Sequence, residues 1–190
     1  GSGQAVVTIT YPDGGQRMET RFQDGTVKSV TGSATFPVYY DYGVSSQGAY
    51  TKETKGSASG TEWIKTYTDL AGRSWKTEYS GGAASTNFFN AQGQLEKTVD
   101  PDGVTRLYTY NGLGQLDKTI VDMNRNGIGT DAVDRVTRTT NDVVEGSGAR
   151  RARVYQTADD GSEILASEHL TIPVYNESIS ISYGLGTTNK

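Results

Sequence analysis

Three stretches of this chain lie on one another at a spacing of 21 residues. They are YTDLAGRSWKT (67–77), FFNAQGQLEKT (88–98) and TYNGLGQLDKT (109–119). Gly72, Gly93 and Gly114 share one register, with Asp69, Asn90 and Asn111 three residues earlier and Thr77, Thr98 and Thr119 five residues later. A fixed period means that one supersecondary unit is stacked along the chain, each copy burying what its neighbour exposes. Such a pattern speaks about architecture before it speaks about chemistry.

The composition points the same way. Hydrophobic residues make up 34% of the 190, glycine is frequent at 24, and 12 tyrosines supply most of the aromatic content. A chain so poor in aliphatic residues cannot fill a thick core, so burial falls to amphipathic rings and side-chain stems. Helical periodicity is scarce. The one window that resembles a helix, DGSEILASEHL (160–170), fits a short strand or turn equally well.

Elsewhere the residues alternate with period two. Val7, Ile9 and Tyr11 oppose Val6, Thr8 and Thr10; Arg106, Tyr108 and Tyr110 oppose Thr105, Leu107 and Thr109; Ile179 and Ile181 alternate with serines. Asp-Gly or Asn-Gly at 13–14, 24–25, 102–103, 111–112, 126–127 and 160–161 marks tight hairpin turns. In YPDG (11–14) and DPDG (100–103), proline presets φ at the second turn position and glycine takes the left-handed one. The expected fold is all-β, an antiparallel meander of β-hairpins built on the ~21-residue repeat and forming a twisted or curled sheet. Two strands and two turns per unit place successive units ~9.6 Å apart. Phe89 and Tyr110 then fall in neighbouring rows of an aromatic ladder, with Leu95, Leu116 and, one residue late, Trp75 on the far side of the turn. Phe22–Val27 and Tyr40–Gly43 read as worn copies of the unit, and 45–60 and 141–149 as long loops or hairpin tips.

Residues 1–3, Gly-Ser-Gly, look like an expression-tag remnant, and 4–190 read as a single domain with its clearest repeats at 67–140. A formal charge of −4 argues against a nucleic-acid partner, no apolar run is long enough to span a membrane, and the absence of cysteine excludes disulfides.

The repeats resemble the YD-repeat, or Rhs (rearrangement hot spot), family. Its unit is an aromatic residue, Asp or Asn, two variable residues, glycine, one residue and an apolar residue. FNAQGQL (89–95) and YNGLGQL (110–116) fit in full, and the copy at Asp69 replaces the adjacent aromatic with Tyr67 one residue earlier. The family's linking phrase is present as DPDGVTRLYTY (100–110). The resemblance implies a piece of the long β-sheets that spiral into hollow shells in secreted bacterial toxins and that recur in surface proteins. The chain is too short to close such a shell, and Val104 follows DPDG where the shell-ending phrase has leucine. No catalytic residue comes with the resemblance. It implies a structural segment in a secreted or bacterial cell-surface protein, with other repeat segments of the parent as partners and with self-association through an open sheet edge.

Two local patterns are candidate sites. Asp122, Asn124 and Asn126 followed by Gly127 match the opening of a calcium loop, with Asp131 and Asp134 as the nearest further carboxylates; Val133 stands where the closing ligand belongs. The other reading is an Asx-rich hairpin extension without metal. The aromatics Trp63, Tyr67, Trp75 and Tyr79 form the second candidate: flat faces for stacking on a glycan, or else the ladder that holds the sheet together. Three further features read as structural. Arg150, Arg151 and Arg153 read as a protease-sensitive or anion-binding patch or, more simply, as a charged edge with Glu163 or Glu168 as cross-hairpin partners. His169, the sole histidine, has no nucleophile elbow or cysteine beside it. The acid pairs Asp159–Asp160 and Asp131–Asp134 lie in turn-like sequence. The chain therefore reads as no enzyme.

Overall fold

The computed structural model describes residues 4–129, 133–157, 161–172 and 177–182. Its elements are β-strands alone: β1 (Ala5–Thr10), β2 (Gln16–Arg21), β3 (Val27–Thr31), β4 (Val38–Ser45), β5 (Gly48–Lys55), β6 (Trp63–Thr68), β7 (Ser74–Tyr79), β8 (Ala84–Phe89), β9 (Leu95–Val99), β10 (Thr105–Tyr110), β11 (Leu116–Asp122), β12 (Arg135–Val143), β13 (Arg150–Thr157), β14 (Glu163–Ile172) and β15 (Glu177–Ser182). The chain forms two compact units, 1–87 and 88–190. Within each, strands adjacent in sequence pair antiparallel, as a meander of hairpins requires.

The turns explain the period. Loops starting at Tyr11, Phe22, Asp69, Tyr79, Asn90, Asp100 and Asn111 close by the same two backbone bonds. The N–H of the first residue donates to the carbonyl of the fifth, and the N–H of the fourth donates to the carbonyl of the first. The fourth residue is always glycine, with φ between 76° and 87°. This is a type I turn ending in a left-handed residue, a hairpin connection for which glycine is the least strained choice. From Asp69 onward the starts alternate at ten and eleven residues, which sum to the period of 21.

A bulge follows the loop in the copies at Asp69 and Asn111. Opposite Thr66 and Tyr67 stand Thr77 and Lys76, but Thr68 faces Ser74, so Trp75 is left over. Opposite Thr109 and Tyr110 stand Lys118 and Leu116, leaving out Asp117. Trp75 therefore corresponds to Asp117, not to Leu116; its one-residue lag is the bulge itself, where two residues face one and both lean the same way.

The structure decides four other readings. Of the two readings of 45–60, the hairpin tip holds and the long loop does not: β5 pairs along its full length with β4, whose Ser45 meets Gly48, and with β6 from Ala49 to Thr54. Tyr40–Gly43 lies within β4 and turns nothing. Asn111-Gly112 is not the tight pair: the left-handed position belongs to Gly114. The helix-like window forms β14 from Glu163 on, its apolar residues serving the sheet.

Buried side chains are few. Among the described residues the buried apolar set is Tyr67, Ile120, Val136 and Ala149. Most strand residues are half-buried, so packing comes from cross-strand neighbours rather than from a second layer.

Candidate functional site

The Asx residue of the repeat has a definite task. Oδ1 of Asp69 accepts the N–H groups of Ala71 and Arg73, both at 2.9 Å. Asn90 does the same for Gln92 and Gln94, Asp100 for Asp102 and Val104, and Asn111 for Leu113 and Gln115. One side-chain oxygen thus satisfies two amides that the strand ladder leaves free at the turn. The fifth residue then locks the Asx in place. Arg73 Nε donates to Asp69 Oδ2 at 2.8 Å, and Gln94 and Gln115 accept from the Asn90 and Asn111 amides. The Arg73 guanidinium holds the Asp69 carboxyl below the usual range. Successive units touch directly where Gln94 Nε2 donates to the Gly114 carbonyl at 3.0 Å.

The candidate calcium segment is a larger version of this brace. Asp122 is 2% exposed; its Oδ1 accepts from Asn126 N–H at 3.1 Å and its Oδ2 from Gly127 N–H at 2.8 Å. Asn124 accepts from Asn126, and Asn126 from Ile128. At the far end Asp134, 5% exposed, accepts the Met123 N–H at 2.9 Å. The structure brings Asp122, Asn124, Asn126 and Asp134 into one excursion between β11 and β12; Asp131 lies outside the described residues. Among the described residues no three Asp, Glu, His or Cys side chains converge as a metal-holding group. The excursion folds back so that Gly129 lies against Ile120, which with Val136 forms the apolar centre beneath it.

The aromatic candidates divide between the two faces of the first unit. Register puts Trp63, Lys65 and Tyr67 of β6 on one face with Tyr50 and Lys52 of β5 and Lys76 and Glu78 of β7; Tyr79 pairs with Ile64 on the other. Tyr67 is buried, its ring 6.1 Å from both Tyr50 and Trp75. This is the ladder, and lysines interleave with it. Lys65 Nζ stands 3.8 Å from the Tyr50 centroid and 4.9 Å from that of Tyr67; Lys52 lies 5.0 Å over Trp63. Each such contact is worth ~0.5–1 kcal/mol at an exposed site. The Tyr67 hydroxyl donates to Glu78 at 2.9 Å, and Lys76, with Tyr67 next, holds the Glu78 carboxyl below its ordinary value. Gly43, opposite Tyr50 in register, lies beneath that ring: a β-carbon there would come within 2.6 Å of the hydroxyl.

The arginine run is charge-paired in part. Arg153 Nε donates to Glu168 at 2.9 Å, the expected cross-hairpin pair, and Arg151 binds Asp142. Glu163 goes instead to Arg138 at 2.7 Å, whose guanidinium also lies 4.4 Å over Tyr155. Sequence reading missed Arg138 and Asp142 because cross-strand partners are fixed by register, which a lone sequence does not display. His169 is exposed, between the hydroxyls of Ser180 and Thr171.

No curated protein matches the chain. The RHS Repeat family model matches residues 89–125, the segment holding the Asn90, Asp100 and Asn111 loops, β9 to β11 and the start of the 122–134 excursion. That match, over a segment whose loops all share one closure, is consistent with an Rhs/YD-repeat assignment.

Proposed function

We propose that this chain is a non-catalytic structural segment of a larger Rhs-type protein, secreted or displayed at the bacterial cell surface. The observation that carries the reading is the loop closed seven times by the same two backbone bonds. Such a loop lets a sheet be extended two strands at a time without disturbing its register. Stability then approaches a sum over neighbouring units, as in other repeat proteins. Other repeat segments of the parent are the natural partners, and an open strand edge also admits a second copy. The test is insertion of a second copy of residues 90–110 directly after Tyr110. A wall element accepts it, keeping one cooperative transition and gaining strand signal in circular dichroism. Loss of cooperative unfolding would overturn the reading.

The alternative is a carbohydrate-binding module using Trp63, Tyr67, Trp75 and Tyr79. Half-buried Trp63 and Trp75, on one face of the first unit, favour it. Against it, Tyr67 is buried and Tyr79 belongs to the opposite face. A glycan array separates the two: binding that disappears in Trp63→Ala or Trp75→Ala supports the module, and a silent array supports the wall.

For residues 122–134 we adopt the metal-free Asx brace. Its support is that side-chain oxygens of Asp122, Asn124, Asn126 and Asp134 already accept backbone N–H groups. Melting in millimolar calcium and in chelator tests this. A shift between the two conditions would restore calcium as a ligand.

A further inference from the structure

Across β12 to β15 the charges are sorted by face. Asp142 pairs with Arg151 in register, Glu168 with Arg153, and Glu163 with Arg138, all on one side of the sheet. The other side carries Asn141, Ala152, His169 and Ser180 in one row, and Val143, Arg150, Thr171 and Ser178 in the next. No carboxylate stands in these two rows. Arg150 makes no ion pair among the described residues.

The two rows enclose a hollow. Ala152 is the smallest side chain between Asn141 and His169, so a gap of about 290 Å³ opens above it. Its rim carries Asn141, Arg150, His169, Thr171 and, from the Asn111 loop, Gln115, and the ion-paired Asp142 and Arg151 also line it. Arg150 is two residues from Ala152 on the same face, ~6.8 Å along the strand, and lines the hollow. The imidazole is held by hydroxyls at both nitrogens, Nδ1 at 2.7 Å from Ser180 Oγ and Nε2 at 3.3 Å from Thr171 Oγ1.

We propose that this hollow is a binding site for a small oxyanion, a carboxylate or a phosphate monoester, with Arg150 as its charged anchor and Asn141, Thr171 and Gln115 as neutral donors. A guanidinium presents a planar fork of N–H groups matched to two oxygens of such an anion. Arg151 and Arg153, its two cationic neighbours in the sequence run, are paired with acids on the far face, so within the run Arg150 is the cation with no acid partner among the described residues. The donors are neutral amides and hydroxyls, and the carboxylate that lines the hollow, Asp142, is already held by Arg151.

The single histidine makes the test direct. Uniformly ¹⁵N-labelled protein is titrated at constant ionic strength and pH with inorganic phosphate, with acetate and with chloride, and the His169 ring and Arg150 Nε signals are followed. Saturable shifts with phosphate or acetate, but not chloride, are expected; whichever oxyanion saturates first identifies the phosphoryl or carboxyl source. Arg150→Gln should weaken that binding about tenfold or more, whereas Arg153→Gln, in the same strand but on the opposite face and away from the hollow, should leave it unchanged. Shifts that chloride reproduces, shifts that never saturate, or undiminished binding in Arg150→Gln would each overturn the site.

Discussion

A β-carbon added to Gly129 would lie 2.5 Å from Ile120 Cδ1, closer than any relaxed contact. The excursion between β11 and β12 thus rests on the sheet through a glycine, and the side chain beneath it is 5% exposed. Gly129→Ala should destabilise the protein by ~1–3 kcal/mol through overpacking. Ile120→Val removes the opposing Cδ1 and should recover part of that loss when combined with it. A double-mutant cycle in denaturant reads the coupling; strict additivity would show that the two residues do not meet in solution.

Each repeat Asx satisfies two amides with one oxygen, so its removal should cost more than an exposed polar residue ordinarily does. Asn90→Ala and Asn111→Ala are each expected to lose ~1 kcal/mol or somewhat more. Asn90→Asp keeps the oxygen that accepts from Gln92 and Gln94 and forfeits only the bond to Gln94 Oε1, so it should cost less. Chemical denaturation of the three variants checks the order. An aspartate as damaging as alanine would show that the shared oxygen is not what matters.

This part of the molecule was legible before any coordinates. Glycine, Asx and threonine recurring at fixed offsets announce a loop, and Pro12 and Pro101 announce its second position. What the spacing of Trp75 concealed was the bulge: a one-residue lag reads as a worn repeat unless the opposite strand is known. Tyr40–Gly43 misled for a related reason. An aromatic, an acid and a glycine resemble a turn, yet here the glycine makes room for the Tyr50 ring in mid-strand. The charge sorting around Ala152 was equally out of reach, because face membership follows from registers through three successive hairpins.

The carboxylates set the acid limit of stability. Arg21 holds Glu19 down, Arg73 holds Asp69, Lys76 holds Glu78, Arg151 holds Asp142 and Arg138 holds Glu163, all below their ordinary values of 3.8 for Asp and 4.5 for Glu. A depressed folded-state value adds stability that is complete above the ordinary value and is lost as pH falls through the depressed one. On the alkaline side, burial raises Tyr40 and Tyr42 above 10.0. Their contribution is complete below that value and is lost as pH climbs through the raised ones. The melting temperature should therefore be level from about pH 5.5 to about pH 9 and fall on either side. Scanning calorimetry across that range checks the plateau. A decline already under way between pH 7 and pH 6 would contradict the pairing, since no carboxylate in these pairs titrates there. Glu163→Gln should flatten part of the acid limb and leave the alkaline limb alone.

The outer edge of β1 has no strand paired to it among the described residues, and its exposed side chains include Val6, Val7 and Ile9. It carries no charge, proline or bulge, the devices by which sheet edges are ordinarily protected. An antiparallel pair of two copies about a two-fold axis at Val7 keeps every residue on its own face. Val7 meets Val7, Ala5 meets Ile9 and Val6 meets Thr8, so the edge is complementary to itself. Val7→Lys would set two lysines directly opposite each other in that pair. Within one chain the same lysine faces Glu19, its register partner in β2, so β1 stays docked. Sedimentation velocity over a concentration series should show a monomer–dimer equilibrium for the unaltered chain and a monomer for Val7→Lys. A monomer throughout for the unaltered chain would remove the interface, and a persistent dimer in the variant would move it to another edge.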